Sequence, residues 1–132
     1  VFVKTKKILV IDDDPDDIEI IKMALKNSGH TIITASDGME GIEKAHNDPP
    51  DIIITDILMP KQDGLTTFEE LMKHPELQSI PVIVCTSASE KLGFSFSEDD
   101  MRSYYGKKPA AFLSKPVDST KLEETIRRYA GR

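Results

Sequence analysis

The sequence has little of what several classes of protein require. It contains one cysteine, Cys85, which excludes an intramolecular disulfide framework and fits a reducing compartment such as the cytoplasm. No apolar run approaches the roughly 20 residues that span a bilayer. The first residues, VFVKTKK, become polar too soon for a secretory signal. We therefore expect a cytoplasmic protein that makes no membrane contact.

Positive charge is also in deficit. The 17 Lys and Arg residues face 23 Asp and Glu residues, which gives a formal net charge of -6 and a pI near 5.0. An acidic surface repels phosphate backbones, so we expect no direct nucleic-acid partner. The chain has 132 residues, 39% of them hydrophobic, and no internal repeat or low-complexity segment. We expect residues 1–132 to form a single domain with a full core.

Apolar runs and helical patterns alternate along the chain. Residues 52–54 are consecutive isoleucines, which is typical of a strand buried on both faces of a parallel sheet. The other apolar runs are residues 6–11, 31–35, 80–85 and 110–113, and the helical patterns are residues 15–28, 38–47, 65–74, 98–105 and 119–129. Strands that alternate with helices predict parallel β-α-β units. We expect an α/β, doubly wound (βα)5 fold whose five-stranded parallel sheet has the order 2-1-3-4-5.

Several residues are suited to helix ends. Asp14 and Asp118 each precede a helical pattern, and aspartate is a favoured N-cap residue. Pro15 fits the first turn of a helix, where no backbone N–H is needed. Gly29 fits the C′ position that ends the first helix, because that position favours a left-handed backbone.

Polar residues follow four of the predicted strands. Asp12 and Asp13 follow the first, Asp56 the third, Thr86 the fourth and Lys115 the fifth. Because parallel strands end at one edge of the sheet, these side chains should emerge together. Three close carboxylates repel one another unless a cation lies between them, and oxygen ligands suit Mg²⁺ or Mn²⁺.

A lysine and a threonine hydroxyl beside such a metal suit phosphate oxygens. The constellation therefore predicts a phosphoryl-transfer site in which a carboxylate is the nucleophile. Asp56 stands alone at the centre and is the candidate nucleophile, whereas Asp12 and Asp13 are paired and better placed as metal ligands. Taken without the other strands, Asp56 fits equally well as an acid that simply ends a strand.

The strand ends also carry a family resemblance. Four motifs occur in order: ILVIDDDP at residues 8–15, DILMPKQDG at 56–64, PVIVCTS at 81–87 and FLSKP at 112–116. Together they resemble the receiver domain of two-component response regulators, of the chemotaxis-regulator type, over essentially the whole chain. The resemblance implies a flavodoxin-like fold and a signalling module rather than a turnover enzyme.

The resemblance also implies a role for each site residue. Asp56 would be the phosphoacceptor. Asp12 and Asp13, together with Asp56 and the backbone carbonyl of Leu58, would hold Mg²⁺ or Mn²⁺. The phosphoryl donor would be a sensor histidine kinase or a phosphotransfer protein.

A conformational switch is implied at the other side of the site. Thr86 and Lys115 would bind the phosphoryl oxygens, and Phe112 would be the aromatic switch residue whose rotamer follows Thr86. The surface of the fourth helix, fifth strand and fifth helix would then change and signal to a downstream protein.

One stretch departs from the family pattern. Residues 87–110 are about half a dozen residues longer than usual by alignment of the motifs, and the extra length lies in residues 91–97, KLGFSFS. Phe94 and Phe96 fit either packing on the protein or contact with a partner, and we favour packing. Ser87 also stands where the family usually has a small apolar residue.

Three other functions share parts of this pattern. Phosphohydrolases of the haloacid-dehalogenase type use a D-x-D after their first strand, which Asp12 and Asp14 match, but Asp16 stands where that family has threonine. A flavodoxin-like electron carrier would place an anionic cofactor against the acidic loop after the first strand. A docking module that no longer accepts phosphate usually lacks one or more of the site residues. This chain has all five of them: Asp12, Asp13, Asp56, Thr86 and Lys115.

We expect a stand-alone receiver or a fragment of a longer regulator, and favour the stand-alone form.

The histidines do not form a recognisable motif. His30, His46 and His74 lie far apart in the sequence and lack the spacing of metal ligands. We therefore expect them at surface or loop positions rather than in a metal site.

Overall fold

The computed structural model describes residues 6–26, 28–56, 70–71, 73–75, 77, 79–86, 111–114 and 117–130, without the side chains of Thr86, Phe112, Ser114 and Ala130. Its strands and helices are β1 (Lys7–Ile11), α1 (Pro15–Leu25), β2 (Thr31–Ala35), α2 (Gly38–Asn47), β3 (Ile52–Thr55), β4 (Val82–Thr86), β5 (Ala111–Ser114) and α3 (Ser119–Ala130). Residues 70, 71 and 73, in the third predicted helix, are also helical. The fourth predicted helix and the loop of residues 91–97 lie outside the described residues.

The strands form one parallel sheet in the order β2-β1-β3-β4-β5, which confirms the predicted fold. β1 lies between β2 and β3, and its last residue, Ile11, pairs with Ala35 on one side and Thr55 on the other. The carboxyl ends of β1 and β3 therefore lie side by side. The helices in the described part of the chain lack the length and the apolar content needed to span a bilayer.

Apolar side chains fill both faces of the sheet. Successive residues of a strand point to opposite faces, so Ile53 joins one core cluster while Ile52 and Ile54 join the other. The first cluster includes Ala45 of α2. The second cluster includes Ile21 and Leu25 of α1 and Leu122 and Ile126 of α3. Helices on both faces explain why β1 and β3 are apolar at nearly every position.

Four of the observed strands differ from the predicted ones by one or two residues at an end. β1 begins at Lys7 rather than at residue 6, and β3 also includes Thr55. β4 begins at Val82 rather than at residue 80, and both β4 and β5 extend one residue further than predicted. Ile80 donates its backbone N–H to the Leu77 carbonyl in a turn, and Pro81 has no N–H to donate to a sheet. The apolar run therefore starts before the strand does.

The predicted N-caps are confirmed, but the predicted end of α1 is wrong. The Asp14 side chain accepts from the backbone N–H of Asp16, and Asp118 accepts from those of Thr120 and Lys121. α1 ends at Leu25 with Lys26 as its C-cap, so Gly29 lies beyond C′.

Ser28 explains the early end of α1. Its backbone N–H and its hydroxyl both donate to the Leu25 carbonyl, at 3.0 and 2.6 Å. The last helical carbonyl is thus satisfied without a glycine. Gly29, with φ of 80°, instead turns the chain towards β2.

We predict that Gly41→Ala destabilises the protein. Helix α2 approaches β1 so closely that a Cβ at Gly41 would lie 2.7 Å from Ile11 Cγ1 and closer still to Ile11 Cδ1. Overpacking costs about 1–3 kcal/mol, which exceeds the gain of about 0.5–1 kcal/mol from helix propensity. Urea unfolding should show a loss of about 1–2 kcal/mol. The loss should shrink in an Ile11→Val background, and the exposed control Glu43→Ala should change stability by less than about 0.5 kcal/mol. A stabilised Gly41→Ala variant would contradict this packing.

We predict that the ionised Glu40 side chain stabilises the fold and that this stabilisation is lost in acid. Its carboxylate lies 2.8 Å from Lys44 Nζ and accepts from the Ser36 backbone and hydroxyl at 2.8 and 2.9 Å. The hydrogen bond to Lys44, followed by those from Ser36, lowers the pKa of Glu40 from 4.5 to about 2. A lowered pKa in the folded state stabilises the fold above pH 4.5, and this stabilisation is lost as the pH falls towards 2.

The measurement is urea unfolding of wild type and Glu40→Gln between pH 6 and pH 2. Wild type should be the more stable protein at pH 6, and the difference should shrink as the pH falls below 4.5. The matched control Glu43→Gln should show no such trend. A difference between wild type and Glu40→Gln that does not vary with pH would disprove the assignment.

Candidate functional site

Two buried aspartates end the central strands. Asp12 and Asp56 are 2% and 4% exposed and each comes one position after the paired residues Ile11 and Thr55. The Asp56 N–H donates to the Ile11 carbonyl at 3.1 Å, and the Asp12 N–H donates to the Ala35 carbonyl at 3.0 Å. Each aspartate is therefore held by the last residue of a neighbouring strand, and the sheet itself sets their separation.

Asp13 completes an acidic cluster at this edge. Carboxylate oxygens of Asp12, Asp13 and Asp56 all lie within 4.8 Å of one another. Asp13 is exposed, whereas the other two are buried. The cluster is thus open to solvent on one side and enclosed by the sheet on the other.

Local hydrogen bonds orient the acidic cluster. Asp12 Oδ1 accepts from the Asp14 backbone N–H at 3.0 Å, which ties the carboxylate to the start of α1. The Asp14 side chain turns away to cap α1 through the Asp16 N–H. The buried Thr55 hydroxyl donates to the Asp56 carbonyl at 3.1 Å and fixes the backbone at the end of β3. Asp14 therefore acts as a helix cap, as its position in the sequence predicts.

The three carboxylates fit a hard divalent cation. Mg²⁺ binds oxygens at 2.0–2.1 Å, so two ligands on opposite sides of one ion lie about 4.2 Å apart. The upper limit of 4.8 Å on the separations of the three carboxylate oxygens is close to that spacing. Mg²⁺ usually keeps several waters, and the exposed side of the cluster leaves room for them.

Four other predicted site positions are described in part or not at all. Leu58 and Lys115 lie outside the described residues. The backbone of Thr86 ends β4 and pairs with Ser114, and the backbone of Phe112 pairs with Val84, but the side chains of Thr86 and Phe112 lie outside the description. Their roles stay predictions.

Comparison with known proteins identifies the family. The model of the response regulator receiver domain family matches residues 8–127. The chain belongs to this family. Protein PilH of Pseudomonas aeruginosa is 31% identical over 122 residues, covering 91% of this chain and 93% of PilH. The polar-differentiation response regulator DivK of Brucella ovis is 30% identical over 127 residues, covering 96% of this chain and 98% of DivK. The resemblance found in the motifs is thus confirmed.

A solved receiver domain shares the fold. The receiver domain of sensor histidine kinase PA1611 from Pseudomonas aeruginosa PAO1 superimposes with a TM-score of 0.81, covering 98% of this chain and 100% of that one at 21% identity. That crystal structure contains a magnesium ion coordinated in its active-site cleft. At this level of identity, the likeness establishes the receiver fold.

A pair of histidines that the sequence did not predict also brings potential ligands together. His46 and His74, which are 28 residues apart, meet with Nε2 and Nδ1 at 3.3 Å. Their spacing in the sequence carries no signal, because only the packing of α2 against the segment around residues 70–77 brings the two rings together.

Proposed function

We propose that this receiver domain accepts a phosphoryl group on Asp56 in a reaction that requires Mg²⁺ or Mn²⁺. The observation that carries the proposal is the position of Asp56, a buried carboxylate at the end of β3 within 4.8 Å of Asp12 and Asp13. Such a carboxylate is fixed in place and can attack a phosphorus atom brought to the exposed side of the cluster.

The proposed reaction transfers the group from a phosphohistidine of a sensor histidine kinase or phosphotransfer protein. An Asp56 carboxylate oxygen attacks the phosphorus, a P–O bond forms and the P–N bond breaks. The departing imidazole nitrogen keeps the bonding electrons and takes up a proton from solvent. Asp12, Asp13 and the Leu58 carbonyl would hold the metal with Asp56. When bound, Mg²⁺ would offset the negative charge that gathers on the carboxylates and phosphoryl oxygens.

The remaining predicted residues would couple this chemistry to a change of surface. The Thr86 hydroxyl and the Lys115 ammonium would bind phosphoryl oxygens, and Phe112 would turn inward as Thr86 moves. The phosphorylated and unphosphorylated forms would differ on the surface formed by the fourth predicted helix, β5 and α3, the last of which is the fifth predicted helix. A downstream protein would bind this surface. The parallel pairing of β4 with β5, which brings Thr86 beside Ser114, supports a link between these elements.

The family match over residues 8–127 supports a single receiver domain across residues 1–132. In this proposal the domain is a signalling module in the cytoplasm and catalyses only its own phosphorylation and dephosphorylation. It signals through proteins, without direct contact with nucleic acid or membrane.

The first prediction from this proposal concerns the phosphoacceptor. Incubation with acetyl phosphate and Mg²⁺ should add one phosphoryl group, about 80 Da, to the intact mass of wild type. Asp56→Asn should gain no mass, since an amide is not a nucleophile of comparable strength. The matched control Asp16→Asn, an exposed acid of α1, should gain the same mass as wild type.

Phosphorylation should also require the metal, so EDTA should prevent the gain. Folded wild type that gains no mass from acetyl phosphate, and none from a kinase-borne phosphohistidine, would refute the proposal. A mass gain that persists in Asp56→Asn would place the phosphoacceptor elsewhere.

The second prediction concerns Mg²⁺ binding to the unphosphorylated protein. Mg²⁺ at ten times its dissociation constant should raise the free energy of unfolding of wild type by about 1.4 kcal/mol. Asp13→Asn removes one charged ligand and should gain less at the same concentration, whereas Asp16→Asn should gain as much as wild type. Urea unfolding over a series of Mg²⁺ concentrations measures the effect. An Asp13→Asn response equal to wild type would exclude Asp13 from the metal site.

A further inference from the structure

A pair of histidines lies apart from the acidic cluster. His46 is in the last turn of α2, and His74 directly follows the helical residues 70, 71 and 73. His46 Nε2 lies 3.3 Å from His74 Nδ1, and the two rings meet edge to face with centroids 4.4 Å apart. His46 is exposed and His74 is half-buried, so the pair is open to solvent.

Residues next to both histidines belong to the same hydrophobic core cluster. Ala45, which precedes His46, lies in the same core cluster as Leu71 and Leu77, and all three are 0% exposed. The backbone N–H of His74 donates to the Leu71 carbonyl at 3.3 Å, and the His74 carbonyl accepts from the backbone N–H of Leu77 at 2.9 Å. The backbone positions next to both rings are therefore anchored in the same core cluster.

We propose that His46 and His74 form a binding site for a borderline divalent transition-metal cation, such as Zn²⁺, Ni²⁺ or Cu²⁺. Zn–N bonds of about 2.0–2.1 Å at tetrahedral angles place two ligand nitrogens about 3.3–3.4 Å apart. The two ring nitrogens have that separation, 3.3 Å, before any metal binds. The ion takes the place of the direct hydrogen bond, and the bridging proton moves through solvent to the other nitrogen of its ring. Both rings then bind as neutral imidazoles, and waters complete the coordination.

The ligand chemistry separates this site from the acidic cluster. Imidazole nitrogens select Zn²⁺, Ni²⁺ or Cu²⁺, whereas carboxylate oxygens suit Mg²⁺ or Mn²⁺. The position of His46 at the carboxyl end of α2 also favours a cation, because the helix dipole is negative there. A bound ion would connect α2 to the turn at His74 across 28 residues of sequence and stabilise this end of the fold.

Thermal unfolding with Zn²⁺ tests the proposal, with Mg²⁺ at saturating concentration to occupy the acidic cluster. Wild type should bind one Zn²⁺ per chain, and its Tm should rise by about 4–6 °C at ten times the dissociation constant. His46→Gln and His74→Gln should each weaken Zn²⁺ binding by at least about tenfold, because each leaves a single imidazole ligand.

Two control variants separate this site from the other candidates. His30→Gln should bind Zn²⁺ as wild type does, since the His30 Nδ1 atom accepts from the Lys6 backbone N–H, a hydrogen bond that does not involve the pair. Asp13→Asn should also bind Zn²⁺ normally, because it alters only the acidic cluster. In NMR spectra, Zn²⁺ should shift the imidazole signals of His46 and His74 and leave those of His30 unchanged.

Three outcomes would overturn the proposal. One is unchanged Zn²⁺ binding in both His46→Gln and His74→Gln. Another is loss of Zn²⁺ binding in Asp13→Asn, which would place the ion in the acidic cluster. The third is a Zn²⁺-dependent doubling of mass in sedimentation, which would place the ion between two chains.

Discussion

The parallel pairing of β1 with β3 is the constraint on which the site depends. It places Ile11 opposite Thr55, and the next residue of each strand is a buried aspartate. The hydrogen bond from the Asp56 N–H to the Ile11 carbonyl continues this pairing beyond the last strand residue. Because apolar side chains fill both faces of these strands, neither can shift its register without moving a whole row of the core. The rigidity of the site thus comes from the core beneath it.

The pairing of β1 with β3 also brings the negatively charged side chains of Asp12 and Asp56 together in buried positions. Two carboxylate oxygens within 4.8 Å of each other repel by about 3 kcal/mol or more at an effective dielectric constant of about 20, before other partners are counted. This is a sizeable part of the 5–15 kcal/mol that typically stabilises a domain. The Asp14 N–H donates to Asp12 and offsets part of the cost. A bound cation would offset this repulsion, and the proposed role of the cluster as a metal site requires such an effect.

Most of the fold and the acidic part of the site were predictable, because both follow from local patterns. The isoleucines before Asp56 indicate a strand buried on both faces, and strands that alternate with helices leave few possible sheet orders. The Asp14 and Asp118 caps are short-range interactions. Prediction failed where a second local effect intervened, as when Ser28 ended α1 before Gly29. The pair of His46 and His74 was beyond prediction, because it depends on the packing of segments distant in sequence.

We propose that Asp12, Asp13 and Asp56 act together as one divalent-metal site at the carboxyl ends of β1 and β3. A crystal structure of the protein grown with Mn²⁺, with the ion located by its anomalous scattering, would test this directly. We expect one strong anomalous peak at bonding distance from carboxylate oxygens of all three aspartates. A structure in which Mn²⁺ binds elsewhere, or in which the three side chains point away from one another, would contradict it.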